Sequence, residues 1–86
     1  MKLKNGFILR EVAGEIVVIP SGSELDLNMM ITLNETGKFL WERIEKGAEA
    51  DELVADLLKE YDVAPEVARQ AVDAFVARLK ELDFLA

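Results

Sequence analysis

Two pairs of carboxylates, Glu42 with Glu45 and Asp51 with Glu52, have the spacing at which one acid and one base could share a proton transfer. The chain has no His and no Cys to work beside them, and both pairs fall where a helix turns its charged side to water. Ser21-Gly22-Ser23 is too short to cradle a phosphate, and Asn34-Glu35-Thr36, formally a glycosylation acceptor, sits at an expected helix cap. Catalysis is not expected, nor is a cofactor or a metal. The lack of cysteine also removes disulfides, thiolate metal sites and iron–sulfur clusters.

What remains is surface. Leu25-Asp26-Leu27-Asn28-Met29 alternates strictly, placing Leu25, Leu27 and Met29 on one face of a strand and Asp26 and Asn28 on the other. Met30-Ile31 breaks the alternation, which marks a bulge or the end of the ladder. The second surface is a helix face. At about 100° per residue, Val67, Ala68, Ala71, Val72, Ala74, Phe75, Val76, Leu79 and Leu82 span an arc of roughly 200°, interrupted by Arg78 near one edge. One core cannot use all of that arc. Either the alanines are helix formers that tolerate exposure, or the flank of Val67, Ala71, Ala74 and Arg78 lines a groove.

The elements that would hold these surfaces read clearly. Phe7 to Val12 and Glu15 to Ile19 are two runs of strand formers joined at Ala13-Gly14, where Gly14 supplies the positive φ of a hairpin turn, and Pro20 closes the second. The period then changes from two to three and four. Asn34 caps a first helix, with Glu35 at its positive end, Phe39, Leu40 and Ile44 inward, Trp41 a partly buried core aromatic, and Gly47 as its stop. Asn34 and Gly37 are expected to fix this junction as scaffold without touching a ligand. A second helix from Asp51 to Tyr61 turns Leu53, Val54, Leu57, Leu58 and Tyr61 to one side, and a third runs from Pro65 to about Leu82. The pattern is α+β, a three-stranded antiparallel N-terminal sheet followed by three helices.

Eighty-six residues, 51% of them apolar, make one domain (1–86) with a single core and modest stability. No repeat, linker or low-complexity tract divides it. The start, Met1 to Gly6, lacks the apolar stretch of a signal peptide, and no run is long enough for a membrane helix, so a cytoplasmic location and no membrane partner are expected. The net charge is −7, and residues 33 to 86 hold thirteen of the 17 acidic side chains. That field repels nucleic acid.

The sequence resembles the pyrroloquinoline quinone biosynthesis protein D (PqqD) family, small precursor-peptide chaperones also called RiPP recognition elements. The resemblance rests on Gly14-Glu15, Met30-Ile31-Thr32-Leu33-Asn34-Glu35-Thr36-Gly37, Phe39-Leu40-Trp41-Glu42, Glu52-Leu53 with Leu57, Glu60-Tyr61-Asp62-Val63, and Val72 with Phe75. It implies a winged helix-turn-helix fold with no catalytic activity. It also implies that the leader segment of a ribosomally made peptide adds as a strand to the third strand, packs against the third helix, and is presented to a modifying enzyme such as a radical SAM maturase. Carried onto this chain, the peptide-binding residues are Leu25, Asp26, Leu27, Asn28, Met29, Met30 and Ile31 on the strand, with Val67, Ala71, Ala74, Phe75 and Arg78 on the helix. The family pattern has an Asp where this chain has Ala71, which favours a leader anchored there by aliphatic side chains. Two other readings fit the same elements: a winged-helix DNA-binding regulator, and a structural homodimer joined through the free strand or the apolar flank.

Overall fold

The computed structural model describes residues 1–20 and 30–86. Strands β1 (Phe7–Val12) and β2 (Glu15–Pro20) form the expected hairpin, in register from Phe7 opposite Pro20 to Val12 opposite Glu15. Its two-residue turn has positive φ at both positions, 52° at Ala13 and 83° at Gly14. Ala13 therefore bears a left-handed conformation that costs a residue with a Cβ.

The expected strand Leu25 to Met29 lies outside the described residues. Where the sequence places the end of the ladder, at Met30-Ile31, the structure has a paired strand: β3 (Ile31–Leu33) runs antiparallel to β2, with Val18 opposite Ile31 and Ile16 opposite Leu33. Its pattern is buried, exposed, buried. The strand-like character of Ile31-Thr32-Leu33 ahead of the Asn34 cap is legible in the sequence, but three residues are too few for alternation to mark them as a paired strand of their own. The strand order is β1-β2-β3, and among the described residues nothing pairs with the far side of β3.

Helix α1 (Glu35–Glu45) starts at Asn34, whose side-chain oxygen accepts from the Gly37 N–H at 2.7 Å. Leu40, Trp41 and Ile44 are buried, while Phe39 is only half-buried, edge-on to Tyr61 and covered by the Arg43 guanidinium at 4.8 Å. Trp41 is thus more central than Phe39. Gly47, with φ 85°, follows the helix as its stop. Helix α2 (Ala50–Glu60) buries Leu53 and Leu57 and is tied at its start by the Glu49 N–H donating to the Glu52 carboxylate. Leu58, expected inward, is exposed. It lies about 140° round the helix from Leu53, beyond the stripe that meets the core.

Helix α3 (Pro65–Glu81) begins with proline in its first turn and buries Ala68, Val72 and Leu79. These sit on the sheet residues Val18, Ile31 and Leu33 and the inner faces of α1 and α2 in one continuous core. The core has a further member, Phe84, which is fully buried. Its ring lies 4.2 Å from that of Phe7 and 6.1 Å from that of Trp41. Phe84 is turned back by Asp83, with φ 61°, and its N–H donates to the Leu79 carbonyl. Its own carbonyl accepts from Lys4, and Leu85 bridges Leu3, so the two ends of the chain are laced together.

Candidate functional site

A groove of about 580 Å³ runs between β3 and α3. One wall is a continuous stretch of chain, with Thr32, Leu33 and Asn34 leading into Thr36 and Gly37 at the start of α1. The other wall is α3, through Ala71, Ala74, Phe75 and Arg78. Leu40 lines the groove too.

Small residues make the space. Taking the helix axis as reference, Ala68, Val72 and Leu79 cluster on the core side, and Ala71, Ala74 and Arg78 lie about 60° to 120° round from Ala68. Of these, Ala74 and Arg78 are exposed and Ala71 is half-buried. Gly37 brings the two walls together. A Cβ there would lie 3.2 Å from the Asn34 side-chain oxygen, 3.3 Å from the Leu33 Cβ and 3.4 Å from the Phe75 ring. A Cβ would crowd the capping oxygen and Leu33 first, while it would meet the Phe75 ring at ordinary contact distance. The capping bond thus fixes the first turn of α1, and the missing side chain leaves room for that bond beside Phe75.

The expected binding residues divide three ways. Ala71, Ala74, Phe75 and Arg78 come together in the groove. Val67 stays in line with them but lies one turn beyond the lining and is exposed. On the strand side, Leu25, Asp26, Leu27, Asn28 and Met29 lie outside the described residues. Met30 is exposed, and Ile31 turns its side chain into the core, leaving only its backbone toward the edge. The sequence reading missed Thr32, Leu33, Thr36 and Leu40, and it treated Asn34 and Gly37 as scaffold only. Their one signal is contiguity: a strand that runs into a helix through a single cap residue must line whatever lies beside its edge.

A larger cavity, about 760 Å³, lies behind α3 between Glu49, Asp73, Lys80 and Asp83. It mixes both signs of charge, and no residue of β3 borders it. The smaller groove is the better candidate, because there the edge of β3 that has no partner among the described residues meets a largely apolar wall. Among the described residues no group of three His, Cys, Asp or Glu side chains is placed to hold a metal, and no helix is long and apolar enough to cross a membrane.

Comparison with solved structures gives two neighbours with the same fold. One is described as TbiB1 in complex with the TbiA(beta) leader peptide, with a TM-score of 0.78 at 20% identity over 99% of this chain and 94% of that one. The other is a lasso peptide synthetase B1 complexed with the leader peptide, with a TM-score of 0.71 at 23% identity over 93% of this chain and 89% of the other. At such identities the likeness speaks for the fold alone. No curated protein matches the chain. The profile of coenzyme PQQ synthesis protein D (PqqD) matches residues 15–85, from the second strand of the hairpin through the clasp at Phe84, and by that match the chain belongs to the PqqD family.

Proposed function

We propose that this protein binds the leader segment of a ribosomally made precursor peptide as a strand added to β3, holds it against α3, and presents it to a modifying enzyme. The domain itself does no chemistry. A radical SAM maturase is the enzyme class that the family resemblance implies. The observation that carries the reading is the edge of β3, without a partner among the described residues, lying beside a groove walled by α3. Both solved neighbours of the same fold are complexes with leader peptides, which supports it.

The length of β3 says where affinity must come from. Added-strand binding draws affinity from main-chain hydrogen bonds and specificity from pockets. Three residues offer two or three such bonds, worth about 1 kcal/mol each net. Micromolar binding needs about −8 kcal/mol, so the larger share falls to side chains buried in the groove. The described part of the strand is a guide rail, and α3 is the grip.

Titrating isotope-labelled protein with the leader peptide encoded beside its gene, followed by amide shifts, tests this. Shifts should concentrate at 31–37 and 71–78, with a Kd in the micromolar range. Shifts confined to β1 or to the far side of α3 would sink the proposal. The DNA-binding reading is disfavoured by α3 itself: Glu66, Asp73 and Glu81 stand beside Arg69, Arg78 and Lys80, and Arg69 is held by Asp51 at 2.7 Å. A homodimer through the β3 edge would show as a mass by light scattering that rises with concentration and persists with peptide bound.

A further inference from the structure

The groove differs in charge from the rest of the surface. The chain has 17 acidic and 10 basic side chains, yet Arg78 is the one charged residue among those lining the groove. Other hollows collect carboxylates: Glu49, Asp73 and Asp83 behind α3, and Glu11, Glu15 and Glu35 beside the hairpin turn. Arg43 and Arg69 each face an Asp, at 3.7 Å and 2.7 Å, whereas Arg10 and Arg78 pair with no acid among the described residues, and of these two only Arg78 lines the groove. A lone guanidinium has been left in an acid-free apolar groove of a strongly acidic protein.

We infer that the groove selects extended peptides carrying an acidic side chain two residues from a bulky apolar one, the carboxylate against Arg78 and the apolar group over Ala71 and Ala74. This rests on the strand-addition reading and gives it a side-chain code. The spacing follows from the helix. Arg78 lies four residues from Ala74 and seven from Ala71, or about 6 Å and 10 Å along the axis. Side chains on one face of an extended peptide recur about every 6.6 Å. An apolar side chain seated between the two alanines is therefore one alternation away from the guanidinium. Its seat has the volume and the walls it needs, with Leu33, Leu40 and Phe75 around it. A carboxylate can take the planar guanidinium with two hydrogen bonds, a fit that no neutral side chain matches. The preference also runs against the field of the whole chain, which at −7 attracts basic peptides. An acidic preference cannot then be mistaken for general electrostatics.

The test is selection from a displayed library of random nine-residue segments on immobilised wild-type protein, in parallel with Arg78→Glu and Ala74→Trp. Both residues are exposed, so neither variant disturbs the core, and the far-UV circular dichroism and thermal melt of each variant check this. Wild type should enrich Asp or Glu two positions from Leu, Ile, Val or Phe. Arg78→Glu should enrich Lys or Arg at the same position, and Ala74→Trp should enrich neither pattern. The best wild-type peptide, synthesised with an amidated C-terminus so that only side-chain carboxylates remain, should bind about threefold to tenfold more weakly with Asn in place of its Asp. Peptides that need the groove, being lost with Ala74→Trp, but show no acidic preference or the same one in Arg78→Glu would overturn the inference and leave strand addition standing. Peptides indifferent to Ala74→Trp, or no enrichment at all, would overturn both.

Discussion

Replacing Phe84 by Ala should come close to unfolding the domain, although the residue is third from the end of the sequence. Its ring is fully buried, tilted on Phe7 at 4.2 Å and edge-on to Trp41 at 6.1 Å. Truncating a buried Phe costs about 3–5 kcal/mol through lost transfer energy and the cavity left behind. Each aromatic pair adds about 0.5–1.5 kcal/mol to the area term, so the upper half of that range is expected. Small domains have about 5–15 kcal/mol in all, and one of 86 residues sits low in that range. At about 4–8 °C per kcal/mol, that loss of about 4–5 kcal/mol should lower the Tm by about 16–40 °C. The assay is urea unfolding followed by the fluorescence of Trp41, the chain's single tryptophan and a direct neighbour of the lost ring. A slope of about 1 kcal/mol per molar urea puts the midpoint about 4–5 M lower. A loss below about 1 kcal/mol with an unchanged slope would refute the reasoning, for it would mean that the end of the chain is not part of the core.

Three further substitutions probe other parts of the same account. Asn34→Ala removes the acceptor of the Gly37 N–H and should cost about 1 kcal/mol by urea unfolding, whereas Asn34→Asp should keep most of it. Ala13→Asn should stabilise by about 0.5–1 kcal/mol, read as a higher Tm, because asparagine tolerates the left-handed φ of 52° better than alanine does. Leu58→Ser should change stability by less than about 0.5 kcal/mol in the same titration, since the side chain is already exposed.

The parts legible in the sequence are those whose signals are local. The hairpin follows from two runs of strand formers and a glycine, α1 from a cap residue next to a change of period, and α3 from a proline followed by an uninterrupted apolar stripe. The flank Ala71, Ala74 and Arg78 was visible as a stripe wider than one core needs, with exposed alanines or a groove as its two readings, and the structure brings the three residues to the lining of one groove. What could not be read depends on contacts between distant residues. Phe84 is one apolar residue after a helix end, and only its meeting with Phe7 and Trp41 gives it weight. The same contact explains why Trp41 is buried more deeply than a half-exposed helix position would suggest. The groove wall from Thr32 to Gly37 is invisible for a related reason: each residue has a sufficient local role as strand, cap or turn, and their common line appears only once α3 lies opposite.

The short β3 is itself firmly placed in the sheet. Ile31 and Leu33 are both buried against β2 and the helices, with Thr32 exposed between them. Side chains alternate along a strand, so a slip of one residue would bring both apolar groups out of the core and put Thr32 into it. The register of β3 is therefore locked by about two full side-chain burials, each worth roughly 1.5–3 kcal/mol. The free edge of β3 is therefore held at one height relative to the rest of the sheet, and at its end the chain passes through Asn34 into α1. The Asn34 capping bond and the close approach at Gly37 hold that end against Phe75. Edge and pocket are thus set relative to each other by the scaffold before any ligand arrives. On the proposed reading, such preorganisation of the described edge and groove lowers the cost of binding and lets a three-residue rail and a shallow groove contribute to discrimination between sequences.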